Sequence, residues 1–310
     1  MNGAHACTFG RSATIRVSIF LKHVAALTLE EDRHVSAAHD VLRCWFFGSA
    51  TACLARYEFS RYLPATLNWI EASSVQADIF ITGMSNTDAI ASALKSYKGP
   101  LKVDLVRLNP KVDSEAFVGG KANLDFFRPR LKVKLAVLAL WGNWYNSLGI
   151  AEHSEKFDFI YPGFDEEIDE SRRIIPFQQM KRTVNNNVRY RLDAASALRP
   201  LASGKVLMME PPPPNEDDHI KQFPSAFREA IAATGLTPAP IRRKLWKLQS
   251  QVYADMCDEL KMEFFPFLTE ATSPDGLLAS EYRFRDPTHA NALYGQKVIE
   301  KLEQIHGSLQ

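Results

Sequence analysis

Residues 134–142 read KLAVLALWG, and this stretch decides the fold class. It is short and almost continuously apolar, a pattern typical of a strand that is covered on both faces. Similar apolar runs recur along the chain, and we expect them to form strands of one buried sheet. These runs are IRVSIF (15–20), VLRCWFFG (41–48), ADIFITG (77–83), LKVDLVRL (101–108), KVLMMEP (205–211) and MEFFPF (262–267).

Helical patterns lie between several of these runs. The clearest covers residues 242–261, and a second covers residues 291–306 near the end of the chain. Alternation of strands and helices predicts a mainly parallel sheet with helices on both sides, a flavodoxin-like three-layer α/β/α architecture. The apolar stripe of the first helix consists of Leu245, Leu248, Val252, Met256 and Leu260.

The length of 310 residues allows a single large α/β domain. We predict a loose N-terminal extension over residues 1–14 and one domain over residues 15–310. Insertions near 160–200 and 211–245 are expected to lie close to the strand ends. A run of four prolines at 211–214 is expected to stiffen its connection by fixing the backbone angle φ.

Composition and charge exclude several classes of function. The chain has 37 Lys and Arg against 36 Asp and Glu, so its net charge of +1 gives no general attraction to nucleic acid or to an anionic membrane. No apolar run reaches the roughly 18 residues of a transmembrane helix, and the first residues lack the order of a secretory signal. We therefore expect a cytoplasmic protein without nucleic-acid or membrane partners.

The cysteines and glycines exclude two further kinds of site. The four cysteines are scattered without a CxxC pair, which indicates reduced thiols and no metal site. No glycine-rich phosphate loop is present, so nucleotide-dependent phosphoryl transfer is not supported. His219 lies in the charged stretch NEDDHIKQF and is expected to be solvated, and the basic stretch RRKLWK (242–247) is expected to begin an amphipathic helix.

Candidate site residues follow the apolar runs, because ligands of such sheets bind at the carboxyl ends of the strands. Gly48-Ser49, Gly142-Asn143 and Glu210 stand at such positions. Near the end of the chain, the stretch DPTHAN (286–291) places Asp286 three residues before His289. A carboxylate at this spacing can orient an imidazole that acts as a general base.

Together these pieces resemble the SGNH (GDSL-like) hydrolase superfamily. DPTHAN looks like the DxxH block of that family, whose Asp and His complete a Ser-His-Asp triad. WGN (141–143) resembles the block whose Asn donates to the oxyanion, and FFG (46–48) resembles the strand end whose Gly supplies a second donor. The resemblance implies His289 as base, Asp286 as its orienting residue, Asn143 and Gly48 as oxyanion donors, and no metal or organic cofactor.

The position of the nucleophile stays open between two alignments. The family's first strand ends in a Gly-x-Ser block, and the matching stretch IFLKHVAAL (19–27) has Lys22 where the serine is expected. A lysine there cannot perform the acyl chemistry of a serine. Alternatively, GSATACLA (48–55) follows an apolar run and offers Ser49 as the nucleophile on a strand-to-helix turn.

Three functions follow from these alternatives. With Ser49 as nucleophile, the protein is an SGNH-like esterase or acyltransferase that acts on a small acylated molecule or carbohydrate. With Lys22 in the nucleophile position, it is a degenerate hydrolase that binds a ligand without turning it over. A third hypothesis is a scaffold for surface-polysaccharide assembly. The sequence does not indicate the oligomeric state.

Overall fold

The computed structural model of the protein describes residues 77–140, 142, 144–164 and 168–309. Within this part of the chain, five parallel strands form one sheet in the order β2-β1-β5-β8-β9. The strands are β1 (Ile79–Gly83), β2 (Val103–Arg107), β5 (Leu135–Ala139), β8 (Lys205–Met209) and β9 (Glu263–Phe265). Two small sheets pair β3 (Phe117–Val118) with β4 (Lys121–Ala122), and β6 (Phe157–Phe159) with β7 (Arg173–Ile175).

Helices cover both sides of this sheet. They are α1 (Thr87–Leu94), α2 (Leu124–Arg130), α3 (Trp144–Gly149), α4 (Phe177–Leu198), α5 (Asp217–Gln222), α6 (Arg228–Thr234), α7 (Ala239–Leu260) and α8 (Ala292–Gly307). One pair consists of α1 and α8, while α7 packs against α3 and α4. The predicted three-layer α/β/α class with a mainly parallel sheet is confirmed.

The apolar character of the central strands explains their position. Every residue of β1 and of β5 is buried, as expected for strands that carry helices on both faces. The edge strand β2 is more exposed, and only Val106 in it is fully buried. Five of the predicted strand runs therefore form the sheet, whereas the runs at 15–20 and 41–48 lie outside the described residues.

The two predicted helices are confirmed with small shifts of their ends. The amphipathic helix expected at 242–261 is α7, which begins three residues earlier at Ala239. Pro238 and Pro240 flank this first residue, where proline is compatible with a helix start. The helix expected at 291–306 is α8, and Asn291 caps it by accepting from the backbone N–H groups of Leu293 and Tyr294.

The strand order places a topological switch point beside β1. The chain runs outward from β1 to β2 and then returns to the other side of β1, where β5 lies. Gly83 at the end of β1 is therefore opposite Arg107 on one side and Ala139 on the other. Ligands of open α/β sheets bind in the crevice beyond such strand ends. No described helix has both the length and the apolar character to cross a membrane.

Candidate active site

A serine lies on the turn between β1 and α1. Three residues, Met84, Ser85 and Asn86, connect the end of the strand to the start of the helix. The backbone N–H of Met84 donates to Ala139 O (3.0 Å), and the hydroxyl of Thr87 donates back to Met84 O (2.7 Å). These bonds hold a tight strand-to-helix turn that presents the half-buried Ser85 at the carboxyl end of the sheet.

The DPTH stretch forms a second tight turn ahead of α8. The backbone N–H groups of Thr288 and His289 both donate to Asp286 Oδ1, each over 2.8 Å. The other carboxylate oxygen, Asp286 Oδ2, lies 2.7 Å from His289 Nδ1. The aspartate therefore fixes the backbone of its own turn and at the same time orients the imidazole ring.

These two turns meet at one hydrogen bond. Ser85 Oγ lies 2.7 Å from His289 Nε2, although 204 residues separate the two in sequence. An ionised Asp286 can only accept, so Nδ1 of the neutral ring carries the proton and Nε2 is free to accept from the serine hydroxyl. Ser85, His289 and Asp286 thus form a serine–histidine–carboxylate chain with the geometry of a catalytic triad.

The surroundings of Asp286 favour its ionised form. Partial burial acts to raise the pKa of Asp286 and is the largest single effect. It is outweighed by the hydrogen bond and charge of His289 together with the backbone donors of Thr288 and His289, so the pKa lies below its ordinary value. The carboxylate is therefore charged at neutral pH and can stabilise an imidazolium at His289.

Close packing of α1 against α8 brings the two turns together. Ser85 lies two residues before the start of α1, and His289 lies three residues before the start of α8. At the crossing, Gly295 of α8 lies against the backbone of α1, and a Cβ added to it would clash with the carbonyl group of Ala89. Only glycine permits this approach, because it lacks a Cβ.

Several predicted site residues lie outside the described part of the chain. These are Lys22, Gly48, Ser49 and Asn143, so their predicted roles stay predictions. Gly142, the neighbour of Asn143, lies in the loop after β5, and its carbonyl accepts from Gln249 Nε2 (3.3 Å). Gln249 Oε1 in turn accepts from the backbone N–H of Tyr145 (2.8 Å), so α7 holds both Gly142 and the first turn of α3.

Glu210 and the prolines have structural contacts. Glu210 is buried at the end of β8, and its Oε2 accepts from the backbone N–H of Phe267 (2.8 Å). The carbonyl of Pro211 accepts from Trp246 Nε1 (3.0 Å), and that of Pro212 accepts from the hydroxyl of the buried Tyr145 (2.7 Å). The proline run is thus an anchored connection, and Tyr145 belongs to the core.

One expectation about a charged segment needs correction, and the basic stretch has contacts that its sequence does not show. His219 is not simply solvated, because its Nε2 contacts the carbonyl oxygens of Phe284 (2.8 Å) and Asp286 (3.1 Å). In the basic stretch, Arg242 and Lys244 face inward and are almost completely buried. Arg242 forms an ion pair with the partly exposed Asp217, and Lys244 forms one with the buried Asp158, so carboxylate partners balance both buried charges.

Ser85 is the site residue that the sequence analysis missed. The signal was present in GMS (83–85), a Gly-x-Ser block that begins at the last residue of the apolar run ADIFITG and leads into a helix. The predicted strand order begins with the run at 15–20, so the Gly-x-Ser block of the family is expected near that run. In the described sheet, β1 at 79–83 is the strand whose end faces His289.

Comparison with known proteins finds similarity only among solved structures. No protein-family model and no curated protein matches the chain. A GDSL-like lipase from Bacteroides thetaiotaomicron is 16% identical with a TM-score of 0.39, over 81% of this chain and 98% of that one. A carbohydrate acetylesterase from Sinorhizobium meliloti is 16% identical with a TM-score of 0.32, over 73% of this chain and 98% of that one.

A third solved structure is the periplasmic domain of a lipopolysaccharide acetyltransferase from Salmonella Paratyphi A. It is 10% identical with a TM-score of 0.40, over 74% of this chain and 83% of that one.

Proposed function

We propose that the protein is a serine hydrolase or acyltransferase of the SGNH type. Ser85 is the nucleophile, His289 the general base and Asp286 the residue that orients it. The observation that carries the proposal is the continuous chain from Ser85 Oγ through His289 to Asp286 Oδ2, with both hydrogen bonds at 2.7 Å. Such contacts are short enough for proton transfer and define the role of each ring nitrogen.

In the first half-reaction, Ser85 Oγ attacks the carbonyl carbon of an ester while its proton moves to His289 Nε2. The imidazolium is stabilised by the ionised Asp286. Collapse of the tetrahedral intermediate breaks the bond to the leaving alcohol, and His289 returns its proton to that oxygen. The products are a free alcohol and an acyl group bonded to Ser85.

In the second half-reaction, water or an acceptor alcohol takes the place of the leaving group. His289 Nε2 removes a proton from the hydroxyl of this acceptor, and the acceptor oxygen attacks the acyl carbon. The bond from that carbon to Ser85 Oγ then breaks as His289 returns the proton to Ser85 Oγ. Water as acceptor makes the enzyme a hydrolase, whereas a carbohydrate hydroxyl makes it an acyltransferase. We propose a small acylated molecule, including acylated carbohydrates, as the substrate class.

The oxyanion needs donors beside Ser85. We propose the backbone N–H of Ser85 as the first donor, since among the described residues no backbone acceptor pairs with it. We propose Asn143 as a second donor, since the loop after β5 begins beside the end of β1 in the sheet. A positioned amide donor of this kind stabilises the transition state by about 3 kcal/mol.

The identity of the residue that faces His289 distinguishes an enzyme from a binding protein. The hypothesis of a degenerate hydrolase depended on Lys22 as the residue facing His289. The turn that faces His289 carries Ser85 instead, which supports catalysis over simple binding. Ser49 has no part in this proposal.

The proposal is tested by ester hydrolysis with p-nitrophenyl acetate and by acetate release from acetylated sugars. The wild type is expected to turn over at least one of these substrates, and Ser85→Ala is expected to abolish turnover. Ser92→Ala is the matched control, because Ser92 is an exposed serine on the adjacent helix α1. Equal turnover by the Ser85→Ala variant and the wild type would refute the assignment.

A further inference from the structure

The segment after the proline run contacts the back of the DPTH turn. This segment, residues 215–219, is called the clamp segment below. His219 Nε2 lies 2.8 Å from Phe284 O and 3.1 Å from Asp286 O. Both carbonyls can only accept, so Nε2 must carry a proton and donate to both. The neutral Nε2–H ring and the imidazolium both meet this requirement.

Two further side chains of the clamp segment reach the same turn. Asn215 Nδ2 lies 3.5 Å from Asp286 O, a weaker contact with the same carbonyl. Glu216 forms a two-point ion pair with Arg283, with distances of 3.0 Å and 2.7 Å, and this pair is the main cause that holds the pKa of Glu216 below its ordinary value. The clamp segment therefore holds residues 283–286 at three places.

The clamp segment is itself fixed to α7. The guanidinium of the buried Arg242 donates to Asn215 O (2.6 Å) and forms an ion pair with Asp217. It also donates to Thr237 O (2.9 Å), just before α7 begins. A rigid 22-residue helix thus supports the clamp segment, and the clamp segment supports the turn that carries Asp286 and His289.

Within the DPTH turn, the backbone at Asp286 determines where its side chain points. The carboxylate accepts from the N–H groups of Thr288 and His289, while the carbonyl of the same residue accepts from His219. The far end of the turn is closed by Phe284 N–H donating to His289 O (3.0 Å). Loss of the bonds from His219 leaves Phe284 O without this donor and Asp286 O with only the longer contact from Asn215, which loosens the residue that orients the imidazole.

We propose that His219 is a positioning residue: its forked hydrogen bond to Phe284 O and Asp286 O keeps Asp286 and His289 in register with Ser85. This inference rests on the proposed function, because the register matters for acyl transfer. His219 does not touch the reacting atoms. Removing the bonds from His219 is expected to lower the rate of the chemical step, because misplacing a catalytic group by about 1 Å can lower that rate about 100-fold.

Two variants separate the hydrogen bond from packing. The ring of His219 packs against that of Phe223, with 5.0 Å between the ring centroids. His219→Phe keeps an aromatic ring in this contact but loses the hydrogen-bond donor. His219→Gln loses the ring but keeps an amide donor at a similar reach. We expect His219→Phe to lower kcat about 10- to 100-fold with little change in KM, and His219→Gln to restore most of the wild-type kcat.

A second readout does not depend on activity. Hydrogen exchange of the backbone amides of Thr288 and His289 is measured in the wild type and in both variants. We expect these amides to exchange faster in His219→Phe than in the wild type, and at close to the wild-type rate in His219→Gln. All three proteins are expected to have the same thermal stability. If the wild type hydrolyses no ester, the proposed function fails, whereas the exchange experiment still tests the clamp. Wild-type exchange rates in His219→Phe, or wild-type kcat in that variant of an active enzyme, would overturn the inference.

Discussion

Gly295 of α8 packs directly against the backbone carbonyl of Ala89 in α1, without a side chain between the two helices. Because Ser85 precedes α1 and His289 precedes α8, this crossing sets the distance between the two residues. The triad geometry thus depends on a helix contact that lies away from the reacting atoms.

The first prediction concerns this crossing. Gly295→Ala forces the helices apart, because the added Cβ meets rigid backbone rather than the end of a flexible side chain. We expect the free energy of unfolding to fall by about 1–3 kcal/mol and kcat to fall more than 10-fold. Urea denaturation and ester hydrolysis measure the two effects. Gly307→Ala is the control, since an added Cβ there meets no atom within 4 Å. If unfolding free energy and kcat fall no further in Gly295→Ala than in this control, the account is contradicted.

The second prediction concerns the orienting carboxylate. Asp286→Asn replaces an acceptor with an amide that can donate to His289 Nδ1, which favours the ring tautomer with a proton on Nε2. That tautomer cannot accept from Ser85, so we expect kcat to fall about 10³- to 10⁴-fold with KM almost unchanged. Steady-state kinetics measure the change. The control is Asp218→Asn, which changes a carboxylate whose side chain is 97% exposed and should leave kcat at the wild-type value. A similarly small change of kcat in both variants would exclude an orienting role for Asp286.

The third prediction concerns acid stability. The pKa of Asp286 in the folded protein lies below its value of 3.8 in the unfolded chain. A lowered folded-state pKa stabilises the protein above the unfolded value, and this contribution is lost as the pH falls through the folded-state pKa. The difference in unfolding free energy between the wild type and Asp286→Asn should therefore shrink from about pH 5 to about pH 2. Chemical denaturation over this range measures it, and a difference that is constant with pH would contradict the assignment.

The fourth prediction compares a buried ion pair with an exposed one. Lys244 and Asp158 form a pair in which each side chain is only 1% exposed. Lys244→Met leaves Asp158 as an uncompensated buried charge, and we expect a loss of about 3–5 kcal/mol in unfolding free energy. Lys181→Met breaks the pair with Asp255, whose side chain is 46% exposed, and should lose less than about 1 kcal/mol. Equal losses in denaturation experiments would contradict this difference.

Hydrophobic patterning was sufficient to predict the described sheet. Runs such as ADIFITG and KLAVLALWG are almost continuously apolar because helices cover both faces of the strands that they form. Helix α7 was also predictable, since its buried stripe repeats with the helical period. The candidate nucleophile Ser85 follows β1, at a strand end of the kind where the sequence analysis expects site residues.

Pairings between distant segments could not be predicted in the same way. Asp286 and His289 were found because their contact is local, three residues apart. The partner of His289 lies 204 residues away, and only the order of strands in the sheet selects Ser85 from the other serines. The charged neighbours of His219 predict a surface residue, whereas its contacts with Phe284 and Asp286 arise from the tertiary fold.

The central claim is that His289 activates Ser85, and reaction with a fluorophosphonate tests it most directly. The purified protein is treated with the reagent, and the modified residue is located by mass spectrometry. The account predicts a single adduct on Ser85 that is lost in His289→Ala and retained in His306→Ala. An adduct on another serine such as Ser49, or labelling of Ser85 that persists at full rate in His289→Ala, would contradict it.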